Sequence, residues 1–410
     1  MNLRITGGID IGNGYTKAKI TVGSDTEHPH IIDMPSCISY VSPTSWIPTE
    51  PSDAYLSDFV NELDVDMATE AIPASERARL LFGRRAVAFS DTPIYFNLDD
   101  REPKCDDPLS VELVLGIIAG TAVRHIWEKQ HRLPTTEVNV NAVIGLALPI
   151  ADFVDCRTRY AKLFRDCDHK VYVHNFANDI VVNIHFDDVT VLAEGAAAQY
   201  AITDLGAPFL DRCIAAARKS GVPIEEDVTG AELVACENTI GVDIGEGTVN
   251  FPVFRNGHVS VESSSSINKG YGTVLDNVVA ATRNSRYALR SRKELAEFML
   301  KEHPSGTHAK LQARLRSLID AEVRTFARDV VNEYKRVHAR THLMADVVYV
   351  YGGGANSVRD ILYPRLVEAS TMDEDIVTPV VYLDSSYSRD LNRNGLYMVA
   401  RISERRLRSA

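Results

Sequence analysis

The apolar and polar positions of this chain change period several times, and each change marks an element. An apolar, partly β-branched approach through Ile9 leads to Asp10, a Gly12-Asn13-Gly14 turn and a mixed stretch from Tyr15 to Val22, which predicts a β-hairpin. Short apolar runs such as Ile31 to Met34 and Ala86 to Phe89 then stand among many Pro, Ser and Asp residues. Residues 24–108 therefore read as a small inserted subdomain of irregular strands and turns, with a mobile tip around Pro43 to Asp53. From Pro108 to Gln130 the spacing becomes helical (Leu109, Leu113, Ile117, Val123, Ile126), and Pro134 ends the connection behind it. Val138 to Pro149 begins in alternation and becomes nearly continuous, the pattern of a strand buried on both faces. A helix from about Ala151 to Asp166, paired strands at Lys170 to Phe176 and Ile180 to Phe186, and a run from Val189 to Leu192 into an alanine-rich helix around Glu194 to Tyr200 follow.

The second half opens with a helix and a polar connection over 205–238, then a strand from Thr239 to Asp243 whose return runs from Thr248 to Phe254. After Val259 to Val261, the loop Ser263 to Gly272 reads as a turn between strand and helix rather than a linker. A helical insert covers 286–342, with helices at Leu289 to Leu300 and Lys310 to Ala339. Asp346 to Tyr351 is a buried strand, and Gly352-Gly353-Gly354 opens a helix beyond it. Ser388 to Leu396 caps a last helix whose tail, Arg401 to Arg408, carries four arginines and reads as a solvated helix end.

One motif occurs twice. Gly8-Ile9-Asp10-Ile11-Gly12-Asn13-Gly14 returns 233 positions later as Gly241-Val242-Asp243-Ile244-Gly245-Glu246-Gly247. A tight turn calls for glycine where φ is positive, and glycine also lets backbone N–H groups approach a ligand, so each hairpin is suited to cradle phosphate. The Asp at the end of each incoming strand is placed to orient a hydrated divalent cation on the same phosphate. A lone D-x-G-x-G is equally a good turn and nothing more; two copies in corresponding hairpins argue for the ligand. The Walker pattern is absent, and Lys17 stands where a dinucleotide fingerprint needs its third glycine. Gly352-Gly353-Gly354, a flat glycine surface at a helix start, is a natural seat for a nucleotide.

Composition narrows the function classes. A net charge of −12 argues against a chain that grips a nucleic-acid backbone directly, so a DNA role would need an adaptor. Six cysteines without a C-x-x-C pair or zinc spacing read as reduced residues of a cytosolic protein. No signal peptide is expected at Met1. The longest apolar stretch, Val111 to Val123, is interrupted by Glu112 and is too short and mixed for a bilayer, so neither a membrane span nor a membrane partner is expected. Twelve histidines, His28, His30, His169 and His174 among them, include no H-E-x-x-H and read as lone surface residues.

Two phosphate hairpins, a connecting helix with Glu194 and a late triple glycine together resemble the actin, heat-shock chaperone ATPase and sugar-kinase superfamily, and most of all the bacterial actin-like plasmid segregation ATPases of the ParM or StbA type. The resemblance spans nearly the whole chain. It is carried by Asp10 to Lys17, Gly145 to Pro149, Val191 to Gln199, Asp243 to Thr248, Tyr351 to Ala355 and Asn394 to Tyr397. It implies an α/β, actin-like (ribonuclease H-like) duplicated fold with two lobes and a nucleotide cleft between them. Lobe I would be 1–195 with the final helix, about 392–410, returning to it; lobe II would be 196–391 with a helical insert at about 275–345.

It further implies a cytoplasmic nucleoside triphosphate hydrolase that polymerises, binding ATP with Mg²⁺ (GTP being the alternative nucleotide), whose partners are further copies of itself and a DNA-binding adaptor. Asp10 and Asp243 would hold Mg²⁺ through its waters, and Lys17 would lie against the phosphates. The amides of Gly12, Asn13 and Gly14, and of Gly245, Glu246, Gly247 and Thr248, would wrap the phosphates, and Gly352, Gly353 and Gly354 would take the adenosine. Glu194 would position the attacking water, so Glu194, Asp10 and Asp243 form the catalytic set, in line with the positioning logic of phosphoryl transfer. Asn13, where many relatives have Ser or Thr, and the acidic Glu246 depart from the pattern. A small-molecule kinase on the same fold, or a nucleotide-binding scaffold without turnover, are the competing functions.

Overall fold

The computed structural model describes residues 1–42, 48–97, 103–283, 285, 287–302, 306–342, 344–373 and 376–409. The expected mobile tip at Pro43 to Asp53 falls partly outside these residues. From Thr49 on it is anchored, since the Thr49 N–H donates to the Asn175 carbonyl at 2.8 Å and Ser52 caps a short helix. The chain divides into two units, 1–201 with 392–410, and 202–391.

The first unit is built on a ten-stranded sheet. Its strands are β1 (Asn2–Ile11), β2 (Tyr15–Val22), β3 (His30–Pro35), β4 (Cys37–Tyr40), β5 (Asp64–Thr69), β6 (Leu80–Phe82), β7 (Ile94–Tyr95), β8 (Val138–Leu148), β9 (His169–Val173) and β10 (Ile180–Ala193), in the order β3-β2-β1-β8-β10-β9-β5-β6-β4-β7. β1, β8 and β10 run parallel at the centre, with Gly8 opposite Gly145 and Thr190 opposite the same Gly145. The strands of the segment 24–108 are regular enough to join this sheet. β5 pairs with β9 from Val65↔Val173 to Thr69↔His169, so the insertion prolongs the main sheet. Its runs were too short to show that they add to an existing edge. β10 is also longer than its alternation suggested, because a register shift between Phe186 and Asp188 resets the side-chain period while the pairing with β8 continues.

Helices α1 (Asp53–Ser57) and α2 (Gly83–Phe89) lie in the insertion, and α3 (Pro108–Gln130) is the core helix. α3 starts with Asp107 accepting from the Leu109 N–H, has Pro108 in its first turn, and ends on His131 in the left-handed region. It is buried without a break from Leu109 to Val123. By length and composition this helix is long and apolar enough to cross a membrane, unlike the shorter stretch within it, but 89% of the apolar window is buried inside the protein. α4 (Ile150–Arg165) follows β8 and packs on β10.

A kinked helix α5 (Ala196–Lys219) carries the chain into the second unit, with Gly206 at its break (φ 71°, ψ −175°). After α6 (Gly230–Ala235) comes a seven-stranded sheet. β11 (Thr239–Ile244) pairs with β12 (Val249–Phe251) and β13 (Val253–Arg255), the two halves of one return strand broken at Pro252, while β14 (His258–Val259) and β15 (Ser265–Ile267) extend it. The serine run is therefore partly a strand. Helices α7 (Tyr271–Thr282), α8 (Arg292–Leu300) and α9 (Gly306–Arg340) form the helical portion. β16 (Val347–Tyr351) pairs parallel with β11, placing Tyr351 opposite Asp243. α10 (Ala355–Ser370), a two-stranded ribbon of β17 (Thr371–Asp373) and β18 (Ile376–Val377), β19 (Val380–Tyr382) beside β16, and α11 (Ser385–Ser388) complete the unit. The last helix is α12 (Leu391–Ser409). All six cysteines are free thiols.

Candidate functional site

In the first unit the chemistry gathers at the carboxyl ends of β1, β8 and β10. The turn after β1 is closed by the Gly12 N–H, which reaches the Tyr15 carbonyl at 3.1 Å. None of Gly12, Gly14, Gly245 or Gly247 adopts a left-handed φ, so the reason expected for them does not hold. Gly12 is needed for close approach instead: a Cβ there would lie 2.6 Å from the Tyr15 oxygen. The turn is fastened from behind by Ser36, whose N–H donates to the Gly14 carbonyl at 3.0 Å and whose hydroxyl donates to the Gly12 carbonyl at 2.5 Å. Among the described residues the N–H groups of Asn13 and Gly14 have no protein acceptor, so the turn offers donors on its outer side.

Asp10 stands across the β1–β2 ladder from Lys17. Burial pushes its carboxyl above the ordinary range; Lys17 pulls it back, Glu194 pushes it up, and Lys104 and Arg393 pull it down in turn. Lys104 is buried, donates to the Ile11 carbonyl, and holds the Glu194 carboxylate at 3.0 Å. The Glu194 N–H is tied to the Leu148 carbonyl at 2.7 Å. Asp152 at the start of α4 accepts from the Lys104 N–H at 3.2 Å, and burial raises its carboxyl as well. Three carboxylates and three cations thus share one end of the sheet. Such a donor set suits phosphate, through the cations and free amides, and a hydrated divalent cation, through the carboxylates.

The approach of α12 depends on backbone packing. A Cβ on Gly8 would meet the Tyr397 nitrogen at 2.1 Å, one on Gly145 the Leu396 oxygen at 2.3 Å, and one on Gly395 the Ala197 oxygen at 1.8 Å. Three glycines let the helix start lie directly on β1, β8 and α5, and this brings Arg393 to Asp10. The Lys19 ammonium over the Tyr397 ring (4.8 Å) and the Tyr397 hydroxyl on Thr21 Oγ1 (3.3 Å) hold it there.

The second unit repeats the turn. Gly245 N–H reaches the Thr248 carbonyl at 2.9 Å, and the Glu246 and Gly247 N–H groups have no protein acceptor among the described residues. The fastening comes from the start of α7, where the Tyr271 and Gly272 N–H groups donate to the Gly245 and Glu246 carbonyls at 3.0 and 2.8 Å. The Glu246 side chain has a protein partner. Its carboxylate pairs with Arg292 at 2.9 Å, which also grips Asp276. Asp243 is buried at the end of β11, and burial together with Asp243 holds the facing Tyr351 hydroxyl well above its usual pKa. Gly352 takes φ 101°, and a Cβ there would fall 2.5 Å from Asp243 Oδ1. Of the triple-glycine amides, Gly352 donates to Ser388 (3.3 Å) and Gly354 to Ile244 (2.8 Å), so two of the three seat the loop rather than a ligand. Gly353 is exposed beside Arg389.

Solved structures of similar architecture decide the fold. The chain is similar to the ParM of Bacillus thuringiensis determined with ATP (13% identity, 98% of this chain and 99% of that one, TM-score 0.60) and to the actin-like protein Alp7A (17%, 100% and 98%, TM-score 0.64). It is likewise similar to Ta0583, an archaeal actin homologue (14%, 98% and 99%, TM-score 0.58). This chain has the actin-like fold. Residues 241–363 also match the family described as archaeal actin homologue MreB-like, C-terminal, while no curated protein matches by sequence. Within the actin-like fold the first unit gathers Asp10, Lys17, the Gly12–Gly14 turn and Glu194, and the second gathers Asp243, the Gly245–Thr248 turn and Gly352–Gly354. Sequence reasoning missed Lys104, Arg393, Ser36 and Asp152. Lone polar residues in a Pro- and Asp-rich loop or at a helix start carry no spacing signal. The histidine reading also fails in part, because His30 and His169 are buried.

Proposed function

We propose that the chain is an actin-like cytoskeletal ATPase that binds ATP with Mg²⁺, assembles head to tail with its own copies, hydrolyses the nucleotide, and serves DNA segregation through a DNA-binding adaptor. The observation that carries this reading is the fixed Glu194 carboxylate, clamped by Lys104 beside Asp10 at the end of the strand that bears the first phosphate turn. The turn amides of Asn13 and Gly14, with Lys17, take phosphate oxygens; those of Glu246 and Gly247 do the same from the second unit. Asp10 and Asp243 would hold Mg²⁺ through its waters, and the ion when bound supplies positive charge to the phosphate oxygens. Glu194 accepts a hydrogen bond from the attacking water and orients it, while Lys104 keeps the carboxylate from turning away. Catalysis then rests on position and charge. A head-to-tail contact between copies is heterologous and generates filaments where its rotation does not close.

The test is phosphate release with light scattering and electron microscopy in ATP and Mg²⁺. Filaments and phosphate release are expected together. Their joint absence across nucleotides and salts would overturn the proposal, and phosphate transfer to a sugar in a coupled assay would replace it with a kinase.

A further inference from the structure

A second group of ligands lies away from the phosphate turns, between β3 and the end of α3. His30 opens β3, opposite Ile20 of β2, while His125 and Glu128 are three residues apart on α3 and so share one face of that helix. His30 Nε2 lies 3.4 Å from His125 Nδ1 and 3.8 Å from Glu128 Oε2. One ligand atom from each residue falls within 4.8 Å of the others. Two imidazole nitrogens bound tetrahedrally at zinc distances stand about 3.3 Å apart. The 3.4 Å separation matches that edge, and it is long for a hydrogen bond between ring nitrogens.

The surroundings suit a metal. His30 is buried and His125 half-buried, so the two ring nitrogens face each other away from bulk water. Arg124 holds Glu128 Oε1 at 2.7 Å, which orients the carboxylate and leaves Oε2 toward His30. A cavity of about 120 Å³ adjoins the three, lined also by Val22, His28, Lys129 and Asp25, the last engaged by His28 and Lys129, with room for a water as fourth ligand.

We propose that His30, His125 and Glu128 bind one zinc-class divalent ion with an open fourth position, fastening the edge strand β3 to the core helix α3. None of the three residues belongs to the phosphate turns, and the proposal does not rest on the nucleotide reading.

Untagged full-length protein stripped with a chelator would be titrated with Co²⁺ and then Zn²⁺. One Co²⁺ per chain is expected, with the intensified visible absorption of a four-coordinate ion, displaced by one Zn²⁺ that raises the thermal midpoint. His125→Asn should weaken uptake at least about 100-fold, and Glu128→Gln, at an exposed side chain that does not threaten folding, about 10-fold. His174→Gln, which removes the histidine between Asp66 and Asp179, should leave uptake unchanged. Absence of Co²⁺ uptake by the wild type, or uptake undiminished in Glu128→Gln, would overturn the site and leave a histidine pair joined by a long hydrogen bond.

Discussion

At the scale of single residues, Glu194 shows how much of its role depends on a neighbour the sequence did not flag. A carboxylate at the end of a strand can swing; this one is gripped by the buried Lys104 at 3.0 Å. Glu194→Ala is expected to keep nucleotide binding and lose about 10²-fold or more in phosphate release, as other positioning groups do. Lys104→Met should lower kcat more than it changes KM, which steady-state kinetics will separate. Glu112 is the contrasting case, a buried carboxyl in α3 that burial pushes up to about 8, with Asp107 and Glu76 adding to it. Below about pH 4.5 both folded and unfolded forms carry the proton. Between there and pH 8 only the unfolded chain ionises, so stability falls as pH rises. Glu112→Gln should therefore stabilise the protein at pH 7, by up to about 3 kcal/mol, and flatten this decline. Trp127 lies on the same helix, so urea unfolding followed by tryptophan fluorescence reads the effect.

At the scale of elements, the glycines separate two reasons that look alike in sequence. The turn glycines were expected to supply positive φ, yet only Gly352 among the site glycines does so. Gly12 and Gly395 serve approach distance. Gly395→Ala would place a Cβ 1.8 Å from the Ala197 oxygen and force α12 off α5 and β8. Overpacking against backbone is expected to cost about 3 kcal/mol, read as a fall in the urea midpoint of the first unit and as weaker nucleotide binding as Arg393 shifts. The hydrophobic periods located α3 and α4 within a residue or two, because each has one long uninterrupted pattern. They failed for β15 and for the short strands of 24–108, where two to six residues cannot reveal a period and pairing with a distant edge decides the conformation.

At the scale of the whole molecule, a net charge of −12 opposes approach to a polyanion. The bare protein is expected not to retard duplex DNA in gel shifts at physiological salt; a salt-sensitive shift at low micromolar protein would show direct binding and remove the need for an adaptor.

The doubled D-x-G-x-G motif, the buried central strands and helix α3 were determined locally, since turn chemistry and hydrophobic period are properties of neighbouring residues. Together with the family resemblance they gave the actin-like fold. What only the tertiary structure decided is which lone side chains meet: at the carboxyl ends of β1, β8 and β10, Lys104 on Glu194, Arg393 near Asp10 and Ser36 behind the turn, and in the second unit Arg292 on Glu246. Those partners lie tens to hundreds of residues apart, and their contacts follow from strand order and glycine-permitted backbone packing, neither of which leaves a periodic trace in the chain.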